Sequence, residues 1–395
     1  MIGIICEFNP FHYGHRYLIQ KAKEAFPDQP VICVMSGNYV QRGEPAFLDK
    51  MTRTRMALLG GADLVLELPT YYAAATAEKF AFGACHILAS TGLVTSLVFG
   101  MEDPSNLPLL KQAASLLVDH DSPYPGLLKE KLPKTSSYAL ARSEALSLLL
   151  GRPLPAGPNE ILALEYLCAL RRLSFNPEIL PVKRTIPHTD SLSDQTGLYA
   201  SSSAIRRKAM EGLDISDDLP ENTNSEYVFP SRMFPALIYR LCFHDASSLA
   251  KIDEIEEGLE NRILHSAREA ASYDELLSGL KTKRYTTSRL RRILLNILLD
   301  ITKERKEALS FAEGPDYIRV LGIKKEHLSL LGALSESSTL PIVTSLNHDL
   351  SSLSEKAVMM LEDELLFSRI YRSLLKDPSA LSASEKSVPL MILSQ

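Results

Sequence analysis

Cysteine is scarce in this chain. Its five positions, Cys6, Cys33, Cys85, Cys168 and Cys242, are scattered and never form a CxxC pair. That argues against a disulfide framework and against a cysteine-based zinc site. Cys6 and Cys33 lie in apolar strand-like runs and read as core residues. The pattern suits a reducing compartment, so a cytoplasmic location is expected. No apolar run reaches about 18 residues, so no membrane span is expected. A basic segment followed by a cleavage site is also missing, so no secretion signal is read. Nor is basic charge in excess: 43 Lys and Arg stand against 48 Asp and Glu, for a net charge of −5. Any contact with nucleic acid must come from a local patch. Internal repeats and a metal-ligand cage are not visible either.

What is present is an ordinary globular composition, 45% hydrophobic and 23% charged over 395 residues, which suggests two or three domains. The first hundred residues alternate in character. Ile2–Cys6, Val31–Met35, Leu64–Leu68 and 96–100 are short apolar runs that read as strands. Helical spacing falls between them, over 15–26, Lys50–Leu59 and 78–89, with Asp49 placed as an N-cap and Gly60-Gly61 as a stop. Continuous apolar strands suit a parallel sheet buried on both faces. The fold class is therefore α/β, a Rossmann-like parallel-sheet domain followed by a mainly helical C-terminal domain. Residues 105–150 read as a helical insertion. Helix 159–173 and strand 178–182 then resume the pattern, and a short helix begins near Ser202. The expected boundaries are 1–213 for the catalytic domain, 214–226 for a polar linker, and 227–395 for the helical domain. Within the last, one short strand is expected near 341–344.

The densest chemistry is at the start. Ile4-Ile5-Cys6-Glu7-Phe8-Asn9-Pro10-Phe11-His12-Tyr13-Gly14-His15 runs from a strand through a Pro loop into a helix. This order builds a phosphate site. Gly14 removes a side chain where a phosphate approaches the backbone, and the helix start supplies free N–H groups and a positive dipole end. His12 and His15 add hydrogen-bond donors, stronger when protonated. Two ordinary loop histidines would not need this context. A zinc site would need a third ligand, and none is near. Ser201-Ser202-Ser203-Ala204-Ile205-Arg206 alone would read as a plain Ser cap on a surface helix. Downstream of HxGH it reads as a second phosphate element, with Ser202 and Ser203 capping and donating and Arg206 as a fixed cation. Lys281, Lys283, Arg284, Arg289, Arg291 and Arg292 cluster around Tyr285. A solvated basic face is the bland alternative; RNA contact is the reading favoured here. The acidic run Glu254, Glu256, Glu257 and Glu260 is taken as a solvated face.

Further segments follow HxGH in order: Met35-Ser36-Gly37-Asn38 through Pro45, Gly61-Ala62-Asp63 through Pro69, Lys281-Thr282-Lys283-Arg284-Tyr285-Thr286, and Tyr317-Ile318-Arg319-Val320-Leu321-Gly322. With HxGH they resemble the bacterial tRNA(Met) cytidine acetate ligase family of the nucleotidyltransferase superfamily, over nearly the whole chain. The resemblance implies an ATP site made of Ile5, Cys6, Glu7, Phe8, Asn9, Pro10, Phe11, His12, Tyr13, Gly14, His15, Arg16, Tyr17 and Leu18. Gly100, Asn159, Arg184, Ser202 and Ser203 complete it, with His12, His15 and Arg206 as the catalytic groups. Three stretches depart from the family: Met101-Glu102, Asn159-Glu160-Ile161-Leu162-Ala163, and residues 185–190. They bear on the adenine and ribose contacts and leave the phosphate elements intact. Gln41, Arg42 and Lys50 are candidates for the acetate side.

The implied reaction has two steps. Acetate attacks the α-phosphate of ATP to give acetyl-adenylate and pyrophosphate, and the N4 amine of a tRNA wobble cytidine then takes the acetyl group. ATP chemistry commonly uses Mg²⁺, which is expected to accompany the nucleotide. Adenylyl transfer follows from the residues; acetate, cytidine and elongator tRNA(Met) follow from the resemblance alone. One rival is an adenylyltransferase acting on a small phosphate-bearing metabolite, which has no use for the basic cluster at 281–292. The other is a non-catalytic RNA-binding protein that retains an ATP pocket.

Overall fold

The computed structural model describes residues 1–135, 138–184, 200–221, 223, 225–256, 258–282, 285–346, 349 and 353–394. Its strands are β1 (Ile2–Cys6), β2 (Val31–Ser36), β3 (Tyr39–Val40), β4 (Glu44–Pro45), β5 (Leu64–Leu68), β6 (Ser96–Met101), β7 (Glu178–Lys183), β8 (Ile318–Lys324), β9 (Ile342–Val343) and β10 (Met391–Leu393). Every residue of β1, β2 and β5 is buried, as a sheet covered on both faces requires. The order across the sheet is β10-β8-β5-β2-β1-β6-β7, with β9 beside β8. β3 and β4 form a separate antiparallel hairpin.

The chain reverses direction across the sheet at β1. β1 pairs in parallel with β2 along its whole length, from Ile2 opposite Val31 to Cys6 opposite Met35. On its other side it pairs with β6 only at Ile2 and Gly3. Beyond Gly3 the two strands part, so a crevice opens between their carboxyl ends. In open α/β sheets ligands bind at such a switch point.

Two layers flank the sheet. Helices α1 (Tyr13–Ala25) and α2 (Lys50–Leu59) cover the face that carries Ile2, Ile4 and Cys6. Helices α3 (Ala77–Ser90), α4 (Leu107–Val118) and α5 (Pro158–Arg172) cover the face that carries Ile5, Leu97 and Phe99. Asp49 caps α2 as expected, accepting from Met51 N at 2.9 Å and Thr52 N at 3.0 Å. Within the 105–150 segment α4 joins the main core. The helices Tyr124–Lys131 and Tyr138–Leu150 pack round a small cluster of their own, centred on Tyr124, Ala145 and Leu146.

The sheet does not end near residue 210, as the sequence suggested. β8 pairs antiparallel with β5, and β10 and β9 pair in parallel with β8. The C-terminal half thus supplies three strands of the same sheet, while helices such as α6 (Ser202–Met210), α7 (Thr287–Leu299) and α8 (Glu355–Ser373) pack around it. The polar stretch 214–226 is not a free tether either. Ile215 and Leu219 are buried in the cluster under β1, Lys208 holds Asp218 at 2.9 Å, and the Tyr227 ring stacks on Phe47 at 4.5 Å. Two buried apolar residues in a polar run were enough to anchor it.

Where the two halves meet, buried charges pair. Arg319 on β8 reaches Glu67 on β5 at 2.9 Å and Glu385 at 2.7 Å. Lys50 reaches Glu67 at 2.6 Å and also bonds Glu385. All four side chains are almost wholly buried. Removing one member strands its partners in low dielectric. Arg319→Met is expected to lower the unfolding free energy by about 3–5 kcal/mol in urea titrations; a loss under about 1 kcal/mol would mean that the four groups are solvated.

Candidate active site

The first turn of α1 is capped by two imidazoles in reciprocal fashion. His12 Nδ1 accepts from Gly14 N at 3.0 Å, and His15 Nδ1 accepts from His12 N at 3.3 Å. The rings stack with centroids 3.8 Å apart. A neutral imidazole has one donor and one acceptor nitrogen. Since both Nδ1 atoms accept, both Nε2 atoms carry the proton. Burial, with Arg184 and Arg206 nearby, holds His12 down to about 3. Burial, His12 and Arg184 likewise lower His15. Both rings are therefore neutral N–H donors at neutral pH, without the extra strength that protonation would give.

These rings border a cleft of about 410 Å³ at the carboxyl ends of β1, β6 and β7. Arg206 is fastened to the loop, with Nη1 donating to Asn9 O at 2.5 Å. Asn9 Oδ1 in turn accepts from Phe47 N at 2.7 Å. Arg184 enters from the end of β7, its backbone N on Met101 O at 2.8 Å, and among the described residues its Nε has no hydrogen-bond partner. Gly100 lies under it: a Cβ there would sit 3.4 Å from Arg184 Cγ. Ser201, not Ser202 or Ser203, caps α6, accepting from Ala204 N at 3.2 Å. Ser202 and Ser203 line the cleft. The cleft thus gathers guanidinium, imidazole N–H and hydroxyl donors on one side, as a polyanion requires.

The β3–β4 hairpin forms another wall. Gln41, Arg42 and Glu44 line the cleft, and Gln41 N donates to Glu7 Oε1 at 2.7 Å. Arg53, fully buried, ties the carboxyl ends of β1 and β2 together. Its guanidinium donates to Leu48 O at 2.9 Å, Glu7 O at 2.7 Å, Ser36 O at 3.0 Å, and Gly37 O. Lys50, expected on the acetate side, does not reach the cleft. It is committed to Glu67 on β5 and to Glu385.

The basic cluster near 281–292 is largely paired within the chain. Arg292 holds Glu254 at 2.9 Å and 3.0 Å, Arg289 holds Glu256 at 2.5 Å, and Arg291 holds Glu44 at 2.5 Å. This corrects two expectations at once: the acidic run is not merely a solvated face, and Arg289 and Arg292 are not free cations. Arg289 also lies over the Tyr285 ring at 5.0 Å. Lys281 is exposed. Lys283 and Arg284 fall outside the described residues.

Of the residues expected around ATP, the cleft gathers Ile5, Cys6, Glu7, Phe8, Asn9, His12, Gly14, His15, Tyr17, Leu18, Gly100, Asn159, Arg184, Ser202, Ser203 and Arg206. Pro10, Phe11, Tyr13 and Arg16 do not line it. Phe11 is buried under the loop instead, its ring 4.8 Å from that of Phe8. Among those missed in the sequence were Val40, Phe80, Phe99, Ile161, Tyr166 and Ser201. The apolar ones look like any core residue; only the position of Phe99 beside Gly100 could have flagged it.

Residues 1–386 match the family model described as HIGH Nucleotidyl Transferase. A tRNA(Met) cytidine acetate ligase of Acetivibrio thermocellus is 34% identical, covering 100% of this chain and 99% of its own length. One from a Thermoanaerobacter species is 38% identical, with 96% of each covered. The chain belongs to the tRNA(Met) cytidine acetate ligase family. The crystal structure of Thermotoga maritima TmcAL bound with alpha-thio ATP has the same fold, with a TM-score of 0.90 and 31% identity over 100% of this chain and 99% of that one.

One family departure, Glu160, can now be placed, beside Glu102 and Asn159, which keep the family pattern. Glu102 Oε1 accepts from Asn159 Nδ2 at 2.8 Å, and Glu160 Oε1 accepts from Asp103 N at 3.0 Å. These contacts hold the start of α5 against the end of β6. The donor set in the cleft does not form a metal cage. Among the described residues no three His, Cys, Asp or Glu side chains gather to hold an ion, and both imidazoles present N–H.

The depressed His12 ties stability to pH. Above about 6.5 the folded and unfolded chains both hold it neutral. Below that the unfolded chain protonates first, and the folded one resists until about 3. Stability from this group is thus lost as pH falls through that window. Against His12→Asn, which keeps an N-cap side chain, the wild type should lose about 1.4 kcal/mol per pH unit between pH 6 and 4. Parallel urea-unfolding curves at each pH would contradict the neutral cap.

Proposed function

We propose that this chain uses ATP to activate acetate and acetylates the N4 amine of the wobble cytidine of elongator tRNA(Met), in the cytoplasm. The observation that carries this reading is the convergence of His12, His15, Arg184, Arg206 and the N-terminus of α1 on one cleft at the switch point of the sheet. Full-length similarity to ligases of that name supports the substrates. The paired arginines at 289–292 weaken the basic cluster as an argument for RNA, so the tRNA reading leans on the relatives and on Lys281, Lys283, Arg284 and Tyr285.

In the first step acetate is already ionised at neutral pH, so no base is needed. What is needed is in-line placement and neutralisation of charge on the phosphates. The Nε2–H groups of His12 and His15 face the triphosphate in this reading, beside the positive end of the α1 dipole. Arg206 and Arg184 flank it. The anion itself raises the imidazole pKa values, so binding strengthens the donors. The hairpin residues Gln41 and Arg42 serve the acetate side. In the second step the cytidine amine attacks the acetyl carbon and AMP leaves.

Mass spectrometry of tRNA incubated with the protein, ATP and isotope-labelled acetate tests the whole reading. One labelled acetyl group on the anticodon cytidine is expected; unlabelled tRNA would refute it. His15→Ala should abolish acetate-dependent exchange between ATP and pyrophosphate while tRNA affinity stays near wild type. Exchange persisting at the wild-type rate would remove His15 from the phosphate site. Lys283→Ala with Arg284→Ala should weaken tRNA binding and reduce its salt slope by about one to two units. An unaltered slope would return that segment to a solvated role.

A further inference from the structure

Acetyl transfer to cytidine releases a proton, and the cleft must have somewhere to put it. The imidazoles are unsuited. Each Nδ1 already accepts a backbone N–H, and each Nε2 carries a proton. Among the described cleft-lining residues only two carboxylates remain, Glu7 and Glu44. Glu44 is already occupied by an ion pair with Arg291 at 2.5 Å.

Glu7 is different. It follows the last residue of β1, at the mouth of the crevice between β1 and β6. Its backbone O is pinned by Arg53 at 2.7 Å, and its Oε1 by Gln41 N at 2.7 Å. Both ends are thereby fixed. Among the described residues Oε2 accepts no hydrogen bond and is not sealed in the interior, so it faces the cleft. We propose that Glu7 is the general base of the second step, its Oε2 taking the proton of the cytidine amine.

The inference rests on the acetyl-transfer reading above. The amine lone pair forms the C–N bond at the acetyl carbon. The bond from that carbon to the phosphate oxygen breaks, and AMP leaves with the electron pair. The amine proton passes to Glu7 Oε2 and then to solvent. Burial lifts the Glu7 carboxyl above its ordinary range, against the pull of Gln41 N–H, Arg42, Arg206 and Arg53. Tyr166 on α5 and Cys6 on β1 also face it. A raised carboxyl is a stronger base, and the arginines keep its anion compatible with acetate and phosphate.

Glu7→Gln is the test, because an amide oxygen can still accept from Gln41 N. Single-turnover transfer from preformed acetyl-adenylate to tRNA is measured from pH 5 to 8, beside acetate-dependent ATP–pyrophosphate exchange. The wild-type transfer rate should rise with pH and level off above the Glu7 titration. In Glu7→Gln transfer should fall about 100-fold more than exchange does, and the rising limb should vanish. Glu7→Asp should retain the limb at a reduced rate. Equal losses in both half-reactions, or a rising limb that survives in Glu7→Gln, would overturn the assignment. Absence of acetate-dependent exchange in the wild type would instead defeat the ligase reading itself.

Discussion

Two backbone N–H groups at the start of α1 decide what the site can do. Gly14 N and His12 N occupy both Nδ1 atoms. That fixes tautomer and ring orientation in one arrangement, and it leaves both Nε2–H donors unused by the cap. A helix start normally spends a Ser, Thr or Asp on such a cap. In the proposed function the imidazole cap doubles as an anion-binding surface, next to the positive end of the helix dipole. The neutral state of the rings is a consequence of burial beside arginines. It also means that the cleft in its empty form carries less positive charge than the sequence suggests, and gains more when a polyanion arrives.

The second requirement is a fixed frame for those donors. Arg53 supplies much of it from beneath. One guanidinium bridges backbone oxygens of Leu48, Glu7, Ser36 and Gly37, so the ends of β1 and β2 and the approach to the hairpin move together. The hairpin is clamped from the far side as well. Gly43 has φ +75, and a Cβ there would meet Arg292 N at 2.3 Å. Only glycine permits that approach of hairpin to α7. With the Glu44–Arg291 pair, it places a wall of the cleft in direct contact with the C-terminal helical layer.

Much of this was legible in the sequence. Continuous apolar runs gave β1, β2, β5 and β6 their parallel, doubly covered setting, and HxGH after the first of them marked a loop that lines the cleft. Asp49 capped its helix where expected. The failures share a physical cause, which is partners distant in sequence. Lys50 looked like a substrate cation because Glu385, 335 positions later by residue number, gives no local sign of neutralising it. Arg289 and Arg292 looked free because Glu254 and Glu256 lie more than thirty positions earlier. The sheet seemed to close near 210 because β8, though apolar, is antiparallel to its neighbour and isolated among helices. Local pattern reports local structure well; charge pairing and strand order are properties of the assembled chain.

That late arrival of three strands has a temporal side. While the polypeptide is being made, the outer edge of β5 has no neighbour until β8 emerges, and an uncovered edge strand invites pairing with other chains. Lys50 and Arg319 likewise await the carboxylate of Glu385. A nascent chain that already displays its complete nucleotide loop therefore still lacks a finished sheet. Catalytic competence should come only with synthesis of the closing segment, so a partial translation product would be an aggregation hazard rather than a small working enzyme.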